Sequence, residues 1–218
     1  MTHQKKVGVI GSGQVAKVLG NGLLALGHRV MLSSRDITKL SEWKEKSKEN
    51  ALVGSFKEAA EFGDIIILAV SGRAATEAIE SAGPQYFNGK TVIDPTNPIS
   101  ENPPVHGVLS YFTGPDESLM EILQARYPEA NFVKAFNSVG NAYMVNPSFK
   151  EGKPSMFICG NNDDAKAEVT EILDAFGWET LDMGKVIAAR AIEPLCILWC
   201  IPGFLRSEWN HAFKLMKA

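Results

Sequence analysis

The sequence predicts an α/β fold: a doubly wound, mostly parallel sheet with a short helical extension at its C-terminus. Three observations carry this. Short apolar runs alternate along the chain with segments of helical periodicity. The run Ile65 to Val70 after Asp64 is apolar throughout, as a parallel strand covered on both faces must be. The first strand is followed at once by a glycine-rich turn that opens a helix.

That first unit is the most informative. Val7 to Ile10 form the strand, Gly11-Ser12-Gly13-Gln14-Val15-Ala16 the turn, and an apolar-periodic helix runs to Leu26 and stops at Gly27. Gly11 allows the tight exit from the strand, and Gly13 lets backbone approach a pyrophosphate. Ala16 is small enough for close packing of helix on strand. Free N–H groups and the positive end of the helix dipole then face the phosphates. The unit predicts a Rossmann-like dinucleotide site; the bland alternative is a turn that binds nothing.

The 218 residues suffice for one large domain or one domain with an appendage. Hydrophobic residues make up 45% and charged residues 22%, with a formal net charge of -3. This balance argues against nucleic acid or a membrane surface as partner. The chain enters its first strand within a few residues of Met1, and no apolar run approaches the length of a membrane span, so the expectation is a cytoplasmic protein without signal peptide. Cys159, Cys196 and Cys200 lack disulfide or metal spacing and are expected as packed thiols. The histidines His3, His28, His106 and His211 are scattered, so no metal site is expected.

The second strand, Arg29 to Ser33, ends in Ser34-Arg35, with Lys39 four residues on. An NAD site usually has a carboxylate here for the ribose hydroxyls. A hydroxyl, a guanidinium and an ammonium suit a 2′-phosphate instead. NADP is therefore expected over NAD, with a solvated basic edge as the alternative. Asp36 reads as a helix-start residue. A polar helix follows over 37–49 with Leu40 and Trp43 inward. Ala51 to Val53 suggest a third strand, and Ser55 with Glu58 a capping box.

The central strand, Asp64 to Val70, brings Val70 and Ser71 to the ligand edge, where they are expected to touch the cofactor; Arg73 suits a phosphate or solvent equally. A helix covers 74–82. Tyr86 and Lys90 match a Tyr-x-x-x-Lys dehydrogenase pattern, but Gly89 inside it argues for a turn. The strand Lys90 to Asp94 ends in Pro95-Thr96-Asn97-Pro98, a stiff loop whose Thr96 and Asn97 can hydrogen-bond a nicotinamide or ribose. The stretch 99–115, with Pro103, Pro104, Gly107 and Gly114, has no periodicity and reads as a lid or as disorder.

Ser118 caps a helix to Tyr127. The strand Asn131 to Ala135 leads to the polar cluster Phe136-Asn137-Ser138. Another strand covers 154–160, and Asn161 to Asp164 read as a cap rather than a calcium loop. The next helix puts Val169, Ile172, Leu173 and Phe176 on one face. A last strand covers 178–182, and a helix over 186–200 is expected to stop at Pro202-Gly203. The apolar residues Leu195, Ile197, Leu198, Trp199, Ile201 and Phe204 then either pack on their own sheet or form a subunit interface or pocket wall. The division is 1–187 for the nucleotide domain and 188–218 for the extension, with a homodimer through the apolar segment as an option.

Taken in order, several segments resemble the coenzyme F420-dependent NADP oxidoreductases. They are equally similar to the cytosolic NADPH-binding domain of the six-transmembrane metalloreductases. The segments are Val9 to Gly13, Ser34-Arg35 with Lys39, Asp94 to Pro98, Val133 to Asn137, Ile158 to Asn161, and Asp182 to Gly184 with Glu193 and Leu195. The resemblance implies an eight-stranded sheet. It assigns Ser12, Gly13, Gln14 and Val15 to the pyrophosphate, Ser34, Arg35 and Lys39 to the 2′-phosphate, and Val70, Asn97 and Ala135 to the nicotinamide end. Asn137, in a matching segment, joins this cofactor set, as does Gly11.

The implied chemistry is hydride transfer between NADP(H) and coenzyme F420 or a flavin, in which the protein mainly aligns two rings. No catalytic acid–base set is expected; His106 is the one candidate for a proton relay. The alternatives are a reductase of a small carbonyl or imine and a non-catalytic NADP(H)-binding regulator.

Overall fold

The computed structural model describes residues 4–47 and 49–216, so His3 and the start of the lead-in to the first strand lie outside the described residues. Eight strands form one sheet in the order β3-β2-β1-β4-β5-β6-β7-β8. They are β1 (Lys6–Ile10), β2 (Arg29–Ser33), β3 (Ala51–Gly54), β4 (Ile65–Leu68), β5 (Thr91–Asp94), β6 (Asn131–Lys134), β7 (Ser155–Gly160) and β8 (Glu179–Asp182). All neighbours pair in parallel except β6 and β7. The mostly parallel, doubly wound reading is borne out.

The apolar runs become strands because alternate side chains are buried on opposite faces. In β4, Ile65 and Ile67 enter one core while Ile66 and Leu68 enter the other. The neighbours follow the same rule, with Ile93 and Val133 on the first side and Val92 and Phe132 on the second. Helices α1 (Gln14–Ala25), α2 (Ser41–Lys46) and α6 (Asp163–Ala175) bury residues in the first core. Helices α3 (Phe56–Phe62), α4 (Ala75–Ala82), α5 (Leu119–Arg126) and α7 (Ala189–Ile192) bury residues in the second.

Helix starts follow their sequence signals. Ser55 with Glu58 and Ser118 with Glu121 form complete capping boxes. Asn162 caps α6 through its side chain, which accepts from the Ala165 N–H. The polar segment after β2 is shorter than expected: a 3-10 turn over Ile37–Leu40 and then α2, with Leu40 and Trp43 buried as anticipated.

The C-terminal segment departs from the sequence reading. Helix α8 (Pro194–Arg206) contains Pro202 rather than stopping at it, and ends at Ser207, whose φ is 57°. Tertiary packing overrides the breaker. The chain reverses after Ser207, and the Trp209 ring lies on Gly203, where a Cβ would come within 2.2 Å of it. The returning segment bonds to β7, as Ser155 N donates to Phe213 O and Leu215 N donates to Ser155 Oγ. Helix α8 packs Cys196, Trp199 and Cys200 on Ile99, Leu109 and Tyr111 of the 99–115 loop, while Leu198, Phe204 and Leu205 are exposed. The helical stretch Val186–Arg206 is, by length and composition, long and apolar enough to cross a membrane, which corrects the expectation that no run comes near that length. Here that stretch is divided into a 3-10 turn, α7 and α8, and its Glu193 is buried in an ion pair.

Candidate functional site

The chain winds from β1 outward to β3 and then returns to the other side of β1 with β4. Ligands of open α/β sheets bind at the carboxyl edge beside such a switch point. A cleft of about 510 Å³ lies there, lined by the glycine turn, the end of β2, and the loops after β4 and β5. Gly11, Ser12, Gly13, Gln14, Val15, Ser34, Arg35, Lys39, Val70 and Ser71 all line it.

The two glycines of the turn have different jobs. Gly11 has φ of 142°, and a Cβ there would lie 2.1 Å from the Ala69 carbonyl oxygen, so the turn and the end of β4 could not both keep their places. Gly13 has nothing within 4 Å of its Cβ position; its face is open to the cleft. It precedes α1, which has no side-chain cap and no acidic residue in its first turn. Helices α3, α5 and α6 are capped by side chains. The first N–H groups of α1 therefore lack a side-chain partner of their own and present partial positive charge to the cleft.

At the end of β2, the buried Ser34 hydroxyl accepts from Ser12 Oγ at 3.3 Å and from the Asp36 N–H at 3.2 Å. Its own proton is left for an incoming oxygen. Asp36 is committed to the chain: its Oδ1 accepts from Thr38 N at 3.1 Å and Thr38 Oγ1 at 2.6 Å. Those bonds, the hydroxyl first, hold its carboxyl below the usual range. Arg35 is open to solvent and lies 3.6 Å from Glu77 Oε1 of α4. Lys39 is exposed beside it. Arg73, expected at a phosphate or in solvent, is exposed and pairs with Glu101 of the 99–115 loop.

The other end of the cleft is built differently. Pro95 lines it, but Asn97, Ala135 and Asn137 are not among the lining residues. Thr96 is buried, and its N–H and hydroxyl both donate to Asp94 Oδ1, at 2.9 and 2.6 Å. Asn97 Nδ2 donates to the Asn137 carbonyl at 2.8 Å, and Asn137 Nδ2 donates to Asn97 Oδ1 at 3.1 Å and to the Ile192 carbonyl at 3.0 Å. Ala135 is fully buried, and its N–H donates to the Asp94 carbonyl. These groups lock the loop after β5 to the end of β6 and to α7.

Beneath that loop lies a centre that the sequence reading did not single out. Lys134 Nζ is 2.7 Å from Asp94 Oδ2 and 2.9 Å from Glu193 Oε1, with all three side chains out of solvent. Burial opposes the ammonium charge, but Asp94 and Glu193 outweigh it and hold the lysine above its ordinary value. The signal was present: Asp94 and Lys134, opposite charges ending two apolar strands, are register partners.

The 99–115 stretch is a folded excursion closed by bridges between Ile99 and Tyr111 and between Val105 and Val108. It is fastened to α8, since Tyr111 OH donates to the Glu193 carbonyl at 2.7 Å. His106 is exposed, has φ of 50°, and is not among the cleft-lining residues. The cysteines are free and buried; burial pushes the Cys159 thiol up to about 12. Among the described residues no group of three His, Cys, Asp or Glu side chains is placed to hold a metal ion.

Comparison with known proteins bears out the resemblance read from the sequence. Residues 6–98 match the family described as NADP oxidoreductase, coenzyme F420-dependent. Metalloreductase STEAP3 of Rattus norvegicus is 30% identical over 204 residues, covering 92% of this chain and 39% of that protein. Metalloreductase STEAP2 of Homo sapiens is 30% identical over 189 residues, covering 87% of this chain and 35% of that one. The chain thus spans less than half the length of these curated relatives. Among solved structures, a candidate F420-dependent NADP reductase from Arthrobacter sp. FB24 superposes with a TM-score of 0.87 at 28% identity, covering 98% of this chain and 99% of that one. A reductive aminase from Aspergillus terreus in complex with NADPH shares the fold, with a TM-score of 0.67 at 15% identity over 94% of this chain and 63% of that one.

Proposed function

We propose that this chain, whose residues 6–98 match the F420-dependent NADP oxidoreductase family, binds NADP(H) in the switch-point cleft and exchanges a hydride with a deazaflavin or flavin ring. The observation that carries the reading is the cleft itself: an uncapped helix start under the open face of Gly13, flanked by Ser34, Arg35 and Lys39. The α1 N–H groups and Gly13 take the pyrophosphate. The free Ser34 proton, the Arg35 guanidinium and the Lys39 ammonium take the 2′-phosphate, while Asp36 stays engaged with Thr38. Val70, Ser71 and Pro95 form the wall toward the nicotinamide. Asn97 and Asn137 serve that end through the loop they hold together.

When bound, NADPH supplies the hydride, and the chain's own contribution is alignment and exclusion of water. The acceptor reading is supported by the likeness to the Arthrobacter protein over nearly the full length of both chains. A ring that takes two electrons together matches a hydride; a ferric or cupric ion, which takes one, does not. Stopped-flow measurement of NADPH oxidation with F420, FMN and FAD tests the proposal. Turnover with one of the three is the expected result; turnover with none, together with reduction of a small imine or carbonyl, would replace it by the second reading.

A further inference from the structure

Lys134, Asp94 and Glu193 are more costly than a fold requires. Removing three charges from water carries a penalty of several kcal/mol per ion, and apolar side chains of similar volume often serve stability as well or better. What such a cluster can supply is a fixed arrangement, and the bonds here converge on one short segment. Lys134 Nζ donates to the Thr96 carbonyl at 2.8 Å, in addition to its two carboxylate partners. The ammonium is thereby held between one carbonyl and two carboxylates. Asp94 holds the same residue from the other side through the Thr96 N–H and hydroxyl. Glu193 is anchored in turn by the first turn of α5: Leu119 N donates to its Oε2 and Met120 N to its Oε1, each at 3.0 Å. Those N–H groups offset the extra negative charge of the cluster.

The segment so held is part of the cleft. Pro95 lines it, and the Asn97 carbonyl lies where a Cβ on Gly72 would be, 2.1 Å away. Gly72 follows directly on Val70 and Ser71, so the loop after β5 is pressed against the loop after β4 with no room between them. A displacement of Thr96 would move both walls at the nicotinamide end.

We infer that Lys134, Asp94 and Glu193 form a buried positioning centre that sets the 95–98 loop, with Glu193 acting on Thr96 through Lys134. None of the three touches the cofactor in this assignment; they are positioning residues, and their link to turnover rests on the function proposed above.

The test is Glu193→Gln in the full chain, with Lys134→Met/Glu193→Gln as a second variant that removes one charge of each sign if the single change does not fold. Amide hydrogen exchange without nucleotide reads the loop directly. Exchange at Thr96, whose N–H is bonded to Asp94, should accelerate at least about tenfold, with the amides of 11–16 unchanged. NADPH affinity should stay within about threefold of wild type while kcat with the active acceptor falls about tenfold or more. Unchanged exchange at Thr96, or acceleration spread evenly over the sheet, would overturn the centre, as would a loss of NADPH affinity as large as the loss of kcat. Failure of the wild-type protein to bind NADPH is a different result: it sinks the cofactor reading, and the exchange data still decide the role of the cluster.

Discussion

Replacement of Arg35 by Ala probes the cofactor assignment most directly. This side chain is 76% exposed and 3.6 Å from Glu77, itself 73% exposed. An ion pair that open contributes little, so its loss leaves folding stability nearly unchanged. Bonds to a charged group are each worth about 1.5–3 kcal/mol when well formed. Solvent at the site and competition from Glu77 argue for the lower part of that range, about 2 kcal/mol, which is about 30-fold in affinity. NADH has no 2′-phosphate, so its affinity should change by no more than about twofold. Fluorescence titration of both nucleotides at low and high ionic strength gives the readout. The wild-type preference for NADPH should also shrink with salt, since these charges sit in water. Glu77→Gln should move NADPH affinity the other way, by freeing the guanidinium. Equal losses for NADPH and NADH in Arg35→Ala would refute the 2′-phosphate site.

Gly13→Ala should fold as well as wild type, because nothing lies within 4 Å of the added methyl, yet should lose nucleotide affinity; full affinity would mean the pyrophosphate does not cross that face. Gly11→Ala should instead destabilise the fold, with its methyl 2.1 Å from the Ala69 oxygen, and denaturant titration separates the two. Ser118→Ala removes a helix cap and should cost about 1 kcal/mol in urea unfolding; no change would mean that the Glu121–Arg190 pair alone fixes the start of α5. The His28 imidazole accepts from Lys5 N, and burial together with the Lys5 charge holds its pKa below the ordinary value. Its contribution to stability is therefore full above about pH 6.5 and lost as pH falls through the lower folded value. The Tm should drop on acidification across that window, less steeply in His28→Gln; a parallel decline in both proteins would contradict this.

The fold, and the gathering of the glycine turn with Ser34, Arg35 and Lys39 at one cleft, were legible because both depend on local order. A strand, a glycine turn and a helix in immediate succession fix where phosphate can go, and Ser34, Arg35 and Lys39 follow within one loop. At the other half, Thr96, Asn97 and Asn137 follow strand ends, where polar side chains can face either a ligand or the chain itself. The partners they find, Asp94 and Ile192, come beside them only in the folded sheet. Pro202 was misread as the end of a helix that in the fold runs on to Arg206.

The two ends of the cleft therefore differ in kind. The proposed adenine end presents Arg35 and Lys39 exposed to water, Arg35 in an open pair with Glu77, and both can adjust at little cost. The proposed nicotinamide end is set beforehand by buried and partly buried bonds: Lys134 and Asp94 on Thr96, Asn137 on Asn97, Tyr111 on the Glu193 carbonyl. Contacts equally good before and during reaction raise affinity alone, and these can be flexible. Alignment of two rings for hydride transfer loses rate with small displacements, and it favours groups whose ordering was completed on folding. The distribution of rigidity in this chain follows that division, with the costly buried charges under the end where geometry governs rate.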